Sequence, residues 1–189
     1  MTETRCRWAN PANPLYLAYH DQEWGVPCHD ELRLFEMLNL EGAQAGLSWE
    51  TILKKRENYR AAFDGWDAPT IAAYGDDKVA ELLANPGIVR NRLKVAAAIT
   101  NAKAYLRMRD EGLTLDAYLW EHVGGKPLVA QWDDGVRPTR SELSDRISKD
   151  LGKRGFKFVG TTIIYAYLQA IGIVDDHDHA CFRHSGRRA

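Results

Sequence analysis

Glu41 and Trp49 stand close together in the decapeptide LEGAQAGLSW, which begins at Leu40. A carboxylate accepts hydrogen bonds and an indole offers a flat aromatic face, so the two residue types together suit recognition of a ligand. The two glycines and the amide between them indicate a turn that joins two helices. The ordinary alternative is a solvated glutamate in a turn and a tryptophan in the core.

Two helices must position this pair. Asp30 can cap a helix that runs to about residue 41, and Ser48 can cap a second helix that runs to about residue 62. Gly42 fits a left-handed terminus for the first helix. Glu41 would then lie at the negative end of the helix dipole, which is unfavourable unless a nearby group compensates it. The position therefore indicates that Glu41 is more than a surface charge.

The decapeptide resembles, nearly residue for residue, the LEGxQAGLSW segment of the bacterial type I 3-methyladenine DNA glycosylases, and the similarity extends over almost all of the chain. The resemblance implies an all-α helical bundle of the helix–hairpin–helix DNA glycosylase type, with its termini joined by a zinc site. It also implies one glycosylase domain over residues 1–189. We expect two lobes within it, a hairpin-containing lobe at about 30–125 and a zinc-stapled lobe formed by 1–29 and 139–189.

The composition fits a globular chain. The 189 residues are 45% apolar and 27% charged, which is enough for one sizeable core. The most apolar run, from Val159 to Val174, is shorter than the roughly 20 residues that span a bilayer, so it predicts a buried helix. The N-terminal residues have no apolar signal segment, and three cysteines far apart make no disulfide framework. We therefore expect a cytoplasmic protein without membrane association.

The net charge of −1 argues against a global basic field, so any binding to DNA must be local. Each basic run alone is more often a solvated helix face. The candidate patches are Lys54 to Arg56, Arg90 to Lys94, Lys149 to Lys157, and the tail residues Arg183, Arg187 and Arg188.

The rest of the chain also indicates helices. The first 29 residues lack helical periodicity and predict a segment without a helix of its own. Asp67 and Asp76 are expected to cap helices, and a capping box from Thr139 to Glu142 predicts another that reaches about residue 151. No segment alternates over enough residues to predict a strand. The remaining expected elements are a long helix at about 90–109, a short helix at 114–122, a loop at 124–138 and an apolar helix at about 159–171.

The segment from Leu82 to Arg92 predicts a helix, a tight turn at Asn85-Pro86-Gly87 and a basic helix start. Backbone N–H groups at a helix start can hold a phosphate, although Pro-Gly turns between helices are commonplace. In the family that the chain resembles, this element is the DNA-binding hairpin. The resemblance therefore implies phosphate contacts from Gly87, Ile88, Val89, Arg90 and Arg92.

Cysteine and histidine residues near both termini suggest metal ligands. From the residues alone the choice stays open, because Cys28, His29, His179 and His184 compete with the other candidates. The resemblance implies one structural zinc ion bound by Cys6, His20, His177 and Cys181. Four such ligands form a closed tetrahedral set that leaves no position for a catalytic water.

The resemblance implies a monomeric enzyme that flips 3-methyladenine out of alkylated duplex DNA and hydrolyses its N-glycosidic bond without cleaving the strand. Trp49 and Tyr16 would stack on the cationic base, Tyr19 and Trp24 would close the pocket, and Glu41 would accept hydrogen bonds from the base rather than act as a general acid or base.

Gly46 would approach the gap in the duplex. Asp110 and Asp116 follow the hairpin region, but the resemblance gives neither a catalytic role. Two alternatives remain: a zinc-stapled damage-binding protein without catalysis, and a zinc hydrolase, which would need an open metal position.

Overall fold

Helices carry most of the architecture. The computed structural model describes residues 3–129 and 137–187 and contains nine α-helices within them. The helices are α1 Pro14–Gln22, α2 Glu31–Gln44, α3 Trp49–Ala62, α4 Ala68–Ala72, α5 Asp76–Ala84, α6 Arg92–Asp110, α7 Leu115–Glu121, α8 Glu142–Lys153 and α9 Thr161–Ala170. Two short 3₁₀ turns are found at Asp64–Trp66 and Ser185–Arg187.

The expectation of an all-α fold is met except for one small parallel pairing. Strand β1, Leu128–Val129, pairs in parallel with strand β2, Val174–Asp175. The amide of Leu128 also donates to the carbonyl of Ile173 at 2.8 Å. Two residues are too few to show the alternation by which a strand is predicted from sequence.

Helix α2 lies at the centre of the fold. Every residue from Leu34 to Ala43 is buried, and the helix packs against α3, α6, α7 and α9. Nearly all buried apolar side chains of the described residues form one contiguous cluster. A helix buried on all sides must also bury its polar residues, and α2 buries Glu36, Asn39 and Glu41.

The prediction that the first 29 residues have no helix is wrong. Helix α1 begins after Asn13, whose side chain accepts a hydrogen bond from the amide of Tyr16, and Pro14 occupies its first position. Proline is favoured there because its fixed φ suits a helix and no N–H is needed. The Asn-Pro pair is therefore the start signal. The five consecutive apolar residues from Leu15 to Tyr19 form no apolar stripe of period 3.6, so the periodicity does not reveal this helix.

Several helix starts differ from the predicted ones. Gly75, not Asp76, is the cap residue of α5, and α6 begins at Arg92 because Asn91 caps it through the amides of Leu93 and Lys94. Helix α8 has a capping box, but Ser141 and Ser144 form it in place of Thr139 and Glu142. Thr139 and Glu142 match the usual capping-box sequence, whereas Ser144 supplies a hydroxyl that also contacts the hydroxyl of Thr161 at 2.8 Å.

The apolar run is a buried helix, as predicted, although α9 is shorter than expected and covers Thr161–Ala170. Among the described helices, none combines the length and apolar character needed to cross a bilayer. Residues 130–136 of the predicted 124–138 loop and Arg188 of the basic tail lie outside the described residues.

Candidate functional site

A cavity of about 310 Å³ opens between α1, the end of α2, the start of α3 and α9. All five residues that the sequence analysis assigns to ligand binding line it: Tyr16, Tyr19, Trp24, Glu41 and Trp49. The other lining residues are Trp8, Gln44, Arg137, Pro138, Thr139, Thr162, Tyr165, Ala166 and Gln169. The structure thus brings residues far apart in sequence into one pocket.

The cavity wall is largely aromatic. The ring centroids of Tyr19 and Trp49 are 5.4 Å apart, and those of Trp8 lie 5.1 Å from Tyr16 and 4.9 Å from Trp24. Rings at these separations hold one another in place, since tilted and edge-to-face pairs are favourable. A flat, electron-poor ligand would find π faces around it.

Glu41 is the acidic side chain in this wall. It is 3% exposed, and burial raises the pKa of its carboxyl from 4.5 to about 8. The other buried polar residues of α2 are satisfied, since Glu36 pairs with Arg60 at 2.7 Å and Asn39 accepts from Asn101 at 3.0 Å. Within residues 3–129 and 137–187, no hydrogen bond or ion pair engages the Glu41 carboxyl. A buried acceptor of this kind suits a cationic or hydrogen-bond-donating ligand.

Gly42 does not end α2 in a left-handed conformation, which corrects the prediction. The helix continues to Gln44, and the left-handed residue is Gly46, with φ of 77°. Gly42 instead allows Phe158 to approach the helix closely, because a Cβ built at Gly42 would lie 3.1 Å from the Cβ of Phe158. The missing side chain lets the segment before α9 pack beside Glu41.

Gly46 forms the turn between α2 and α3. A Cβ built on it would meet nothing within 4 Å, so this turn faces open space beside the cavity. The side chain of Ser48 then accepts from the amide of Thr51, which starts α3 as expected and places Trp49 at its first position.

Sequence reasoning missed Trp8 and one face of α9. Thr162, Tyr165 and Gln169 interrupt an apolar helix at spacings of three and four residues, which puts them on one side. That polar stripe is the signal that could have found them. Arg137 also lines the cavity, with its guanidinium 5.5 Å from the Trp24 ring and 2.6 Å from a carboxylate oxygen of Asp178.

Three of the four predicted metal ligands come together. The ligand atoms of Cys6, His20 and Cys181 lie within 4.8 Å of one another, and all three residues are buried. Backbone amides of Asp178 and Arg183 donate to the sulfurs of Cys6 and Cys181, at 3.2 and 3.4 Å. Hydrogen bonds from Cys6 and His20 lower the pKa of the Cys181 thiol, with Cys6 contributing most. A lowered thiol pKa is suited to metal binding, because the thiolate is the ligand.

His177, the fourth predicted metal ligand, lies beside His20. Its ring centroid lies 5.3 Å from that of His20, and its Nε2 is buried without a partner among the described residues. Asp175 holds the Nδ1 of His177 at 2.7 Å, as Asp21 holds the Nδ1 of His20 at 2.7 Å. Carboxylates that fix Nδ1 in this way leave Nε2 for a metal. The four residues therefore fit a metal ion.

The competing metal-capable residues lie elsewhere. His29 contacts Asp116 at 2.7 Å and stacks on Trp120, while the Cys28 sulfur lies 4.0 Å from the carbonyl of Asp30. His179 and His184 have ring centroids 5.1 Å apart, and neither belongs to the cluster of Cys6, His20 and Cys181.

The hairpin between α5 and α6 is braced from within the protein. Contrary to expectation, the three amides from Gly87 to Val89 are not free. Gly87 donates to the side chain of Asn85 at 2.8 Å, Ile88 to the carbonyl of Asn85 at 3.5 Å and Val89 to the hydroxyl of Tyr59 at 3.2 Å. A Cβ at Gly87 would lie 3.1 Å from the Cβ of Asn58, so Gly87 is required for packing against α3. Ile88 is buried beneath the turn.

Arg90 and Arg92 are located where α6 begins, and Arg92 is exposed there. No ion pair holds either guanidinium within the described parts of the chain. The patch from Lys54 to Arg56 is instead committed to protein contacts, because Lys55 donates to the carbonyl of Pro86 at 3.0 Å and Arg56 pairs with Glu23 at 2.6 Å. Of these two patches, Arg90 and Arg92 are thus the basic residues whose side chains no ion pair or hydrogen bond engages in the described residues.

Comparison with known proteins supports one family. Residues 8–184 match the sequence model of the methyladenine glycosylases. The chain is 49% identical over 185 residues to DNA-3-methyladenine glycosylase 1 of Escherichia coli K12, covering 97% of this chain and 98% of that protein.

Solved structures agree with the sequence match. A crystal structure of 3-methyladenine DNA glycosylase I superimposes with a TM-score of 0.93 and 51% identity, covering 96% of this chain and 100% of that one. A tyrosine-to-phenylalanine variant of such an enzyme, in complex with 3-methyladenine, superimposes with a TM-score of 0.90 at 35% identity, covering 95% and 97%. This chain therefore belongs to the methyladenine glycosylase family.

Proposed function

We propose that this protein removes 3-methyladenine from alkylated duplex DNA by hydrolysing the N-glycosidic bond. The observation that carries the proposal is Glu41, a buried carboxyl without a protein partner in the described residues, set in an aromatic cavity of about 310 Å³. A cavity with a few polar groups among aromatic side chains suits a single purine base. Relatives named for this activity support the same assignment.

The base must leave the helix before it can enter such a cavity, because stacking and pairing hide it in the duplex. Methylation of the adenine ring gives the base a positive charge. Stacking between Trp49 and Tyr16 would then include a cation–π contribution, and a carboxyl oxygen of Glu41 would accept from the exocyclic amine. Tyr19 and Trp24 close the remaining sides.

The reaction requires little from a general acid. The C1′–N9 bond breaks with its electron pair passing to the base, which neutralises the positive charge. Water forms the new bond to C1′ and loses a proton to solvent, so the products are neutral 3-methyladenine and an abasic sugar. Within the described residues Glu41 is the one acidic residue that lines the cavity, and we assign it to recognition of the base.

The test separates binding from chemistry. Glu41→Gln keeps the shape but places an amide donor beside the amine, and Trp49→Ala removes the stacking face. Each should lower affinity for free 3-methyladenine by roughly 1 to 3 kcal/mol, measured by tryptophan quenching or NMR. Glu50→Gln is the matched control, because Glu50 pairs with Lys54 at 2.6 Å outside the cavity.

Release of free base from methylated DNA, followed by chromatography, decides between an enzyme and a damage-binding protein without catalysis. Absence of released base would contradict the proposal. If Glu41→Gln abolishes excision and leaves free-base affinity unchanged, then Glu41 takes part in the chemistry and its recognition role is wrong.

We further propose that the enzyme is monofunctional. Strand cleavage by a glycosylase needs an amine nucleophile that forms a Schiff base with the sugar. The residues described around the cavity include no lysine. Incubation with alkylated plasmid and electrophoresis under neutral conditions should therefore reveal abasic sites without nicks.

We propose one structural zinc ion, held by Cys6, His20, His177 and Cys181. The clustered ligand atoms and the unpartnered Nε2 of His177 support it, and a bound zinc would neutralise the buried thiolates and tie the two ends of the chain together. Gly25 fits the same arrangement, since a Cβ there would lie 2.5 Å from Cε1 of His177.

DNA contact is proposed at two places. Arg90 and Arg92, with the positive end of α6, would bind a backbone phosphate beside Gly87, Ile88 and Val89, and the open turn at Gly46 would approach the gap left by the flipped base. Monomeric assembly, cytoplasmic location and the two-lobe division at 30–125 and at 1–29 with 139–189 stay predictions.

A further inference from the structure

Asp176 connects two residues of the cavity wall. Tyr165 and Gln169 lie one turn apart on α9, and both line the cavity. The hydroxyl of Tyr165 and the Nε2 of Gln169 each donate to the same carboxylate oxygen of Asp176, at 2.6 Å. Asp176 is completely buried, so water does not replace these hydrogen bonds.

The chemistry of a carboxylate fixes the orientation of the Gln169 amide. The oxygen and nitrogen of a glutamine are normally distinguished only through their partners. The oxygen Oδ2 of Asp176 acts as an acceptor, so the NH₂ group of Gln169 and not its carbonyl oxygen faces Asp176. Burial and the neighbouring Asp176 raise the pKa of Tyr165, which keeps its hydroxyl protonated as a donor to the same carboxylate. The carbonyl oxygen Oε1 is then what Gln169 has left to offer the cavity.

Two features of the backbone fix the positions of Gln169 and Asp176. The backbone carbonyl of Gln169 accepts from the amide of Gly25 at 3.0 Å, which joins the end of α9 to the loop after α1. Asp176 itself follows β2, whose residue Asp175 holds His177. The side-chain amide of Gln169 therefore cannot turn over without loss of its short hydrogen bond to the buried Asp176.

An acceptor fixed in the wall discriminates between purines by their 6-substituent. The exocyclic amine of adenine donates a hydrogen bond, whereas the 6-oxygen of guanine accepts one and would face Oε1 unpaired. We propose that Gln169 is a specificity-determining residue that selects 6-amino over 6-oxo purines, and that Asp176 is the positioning residue that fixes its amide. This inference rests on the proposed function, since it places the base in this cavity.

The first experiment measures binding of free 3-methyladenine and free 3-methylguanine to the parent protein and to Gln169→Met. Methionine keeps the length of the side chain but removes the acceptor. We expect the affinity for 3-methyladenine to fall by about 10-fold and the preference over 3-methylguanine to shrink, because a buried donor loses its partner. Equal preference in Gln169→Met and the parent would overturn the inference.

The second variant, Asp176→Asn, tests positioning. An asparagine can donate as well as accept, so it permits Gln169 to turn its NH₂ group toward the cavity, where it would repel a 6-amino group and pair with a 6-oxo group. We expect the ratio of the two affinities to move toward 3-methylguanine while Gln169 is unchanged. A general loss of packing would weaken both ligands alike and leave the ratio constant, which would overturn the positioning role.

Asp145→Asn is the matched control. The carboxylate of Asp145 accepts from the hydroxyl of Thr161 at 2.6 Å, and Thr161 lies on α9 as Gln169 does but does not line the cavity. The ratio of the two affinities in Asp145→Asn should therefore stay at the parent value. Metal content of Asp176→Asn should equal that of the parent. If that variant does not fold, Gln169→Met still decides on the selectivity. If the parent itself fails to bind 3-methyladenine, the proposed function fails rather than this inference.

Discussion

The ammonium group of Lys94 donates to two backbone carbonyls at once, that of Ala45 at 2.6 Å and that of Ala43 at 2.8 Å. A cation in the first turn of α6 thus caps the negative end of α2, where the helix dipole is least favourable for the Glu41 carboxyl. The ammonium group compensates the carbonyl end of α2 rather than the Glu41 carboxyl, whose pKa stays raised by burial, and it joins the proposed phosphate-binding hairpin to the proposed base pocket.

Replacing Lys94 by Met should lower the free energy of unfolding by about 1 to 3 kcal/mol, since two partly buried carbonyls lose a charged donor. Urea unfolding followed by far-UV circular dichroism measures it. Lys103→Met on the exposed side of α6 is the control and should change stability by less than about 0.5 kcal/mol. Equal losses in the two variants would show that the cap contributes nothing specific.

Glu41 should make stability depend on pH. Burial raises its pKa from 4.5 to about 8, so between these values the folded chain holds a proton that the unfolded chain has lost. The free energy of unfolding therefore falls as pH rises through this range, and the loss ends above about pH 8. At about 1.4 kcal/mol per pKa unit the contribution is a few kcal/mol at most.

Glu41→Gln stays neutral at every pH and should lack this decline, so it should gain stability relative to the parent between about pH 6 and pH 9. Urea unfolding at these two pH values gives the comparison, with Glu50→Gln as the control that keeps the parent's decline. Identical pH profiles for Glu41→Gln and the parent would mean that burial does not raise the pKa of the Glu41 carboxyl.

Metal binding and folding should be lost together. Cys6→Ser or Cys181→Ser removes a thiolate from the proposed zinc site, and each should reduce both bound zinc and thermal stability, because the binding free energy of a structural metal contributes to folding. Cys28→Ser is the control and should keep one zinc per chain. Full zinc by elemental analysis in both ligand variants would exclude the site.

The hairpin should bind DNA without reading sequence. Arg90→Gln with Arg92→Gln should weaken binding to undamaged duplexes of any sequence and reduce the slope of log affinity against log salt by about 2. A double variant of Lys103→Gln and Arg146→Gln removes the same charge elsewhere and should keep the steeper slope. Equal slopes in the two double variants would count against this surface.

Gly87→Asp is a second test of the hairpin, and it should also weaken binding to every duplex. Its Cβ would press on Asn58, so the variant also reports packing between the hairpin and α3. Comparison of its unfolding free energy with that of the parent separates the two effects. An unchanged affinity for undamaged duplex would argue that phosphate does not approach Gly87.

Local sequence determined most of the helices. Ser48, Asp67 and Asp30 start their helices through side-chain acceptors, a signal that depends on neighbouring residues only. Local sequence predicted the wrong residue where two possible caps lie close together, as at Thr139 and Ser141. It also failed where a glycine is required by a residue far away in the sequence. Gly42 resembles a helix terminus in sequence, yet Phe158 more than a hundred residues later is the reason that it lacks a side chain.

The candidate site likewise depends partly on local sequence and partly on tertiary structure. The types and spacing of Glu41, Trp49 and the terminal cysteines left the ordinary alternatives open, and the family resemblance of the sequence assigned recognition and metal binding to them. Only the tertiary structure decided that Glu41 is buried without a protein partner in the described residues, and that Asp176 orients Gln169 in the same wall. Burial and hydrogen-bond orientation depend on which helices pack together, and the long-range contacts between α2 and α9 set both.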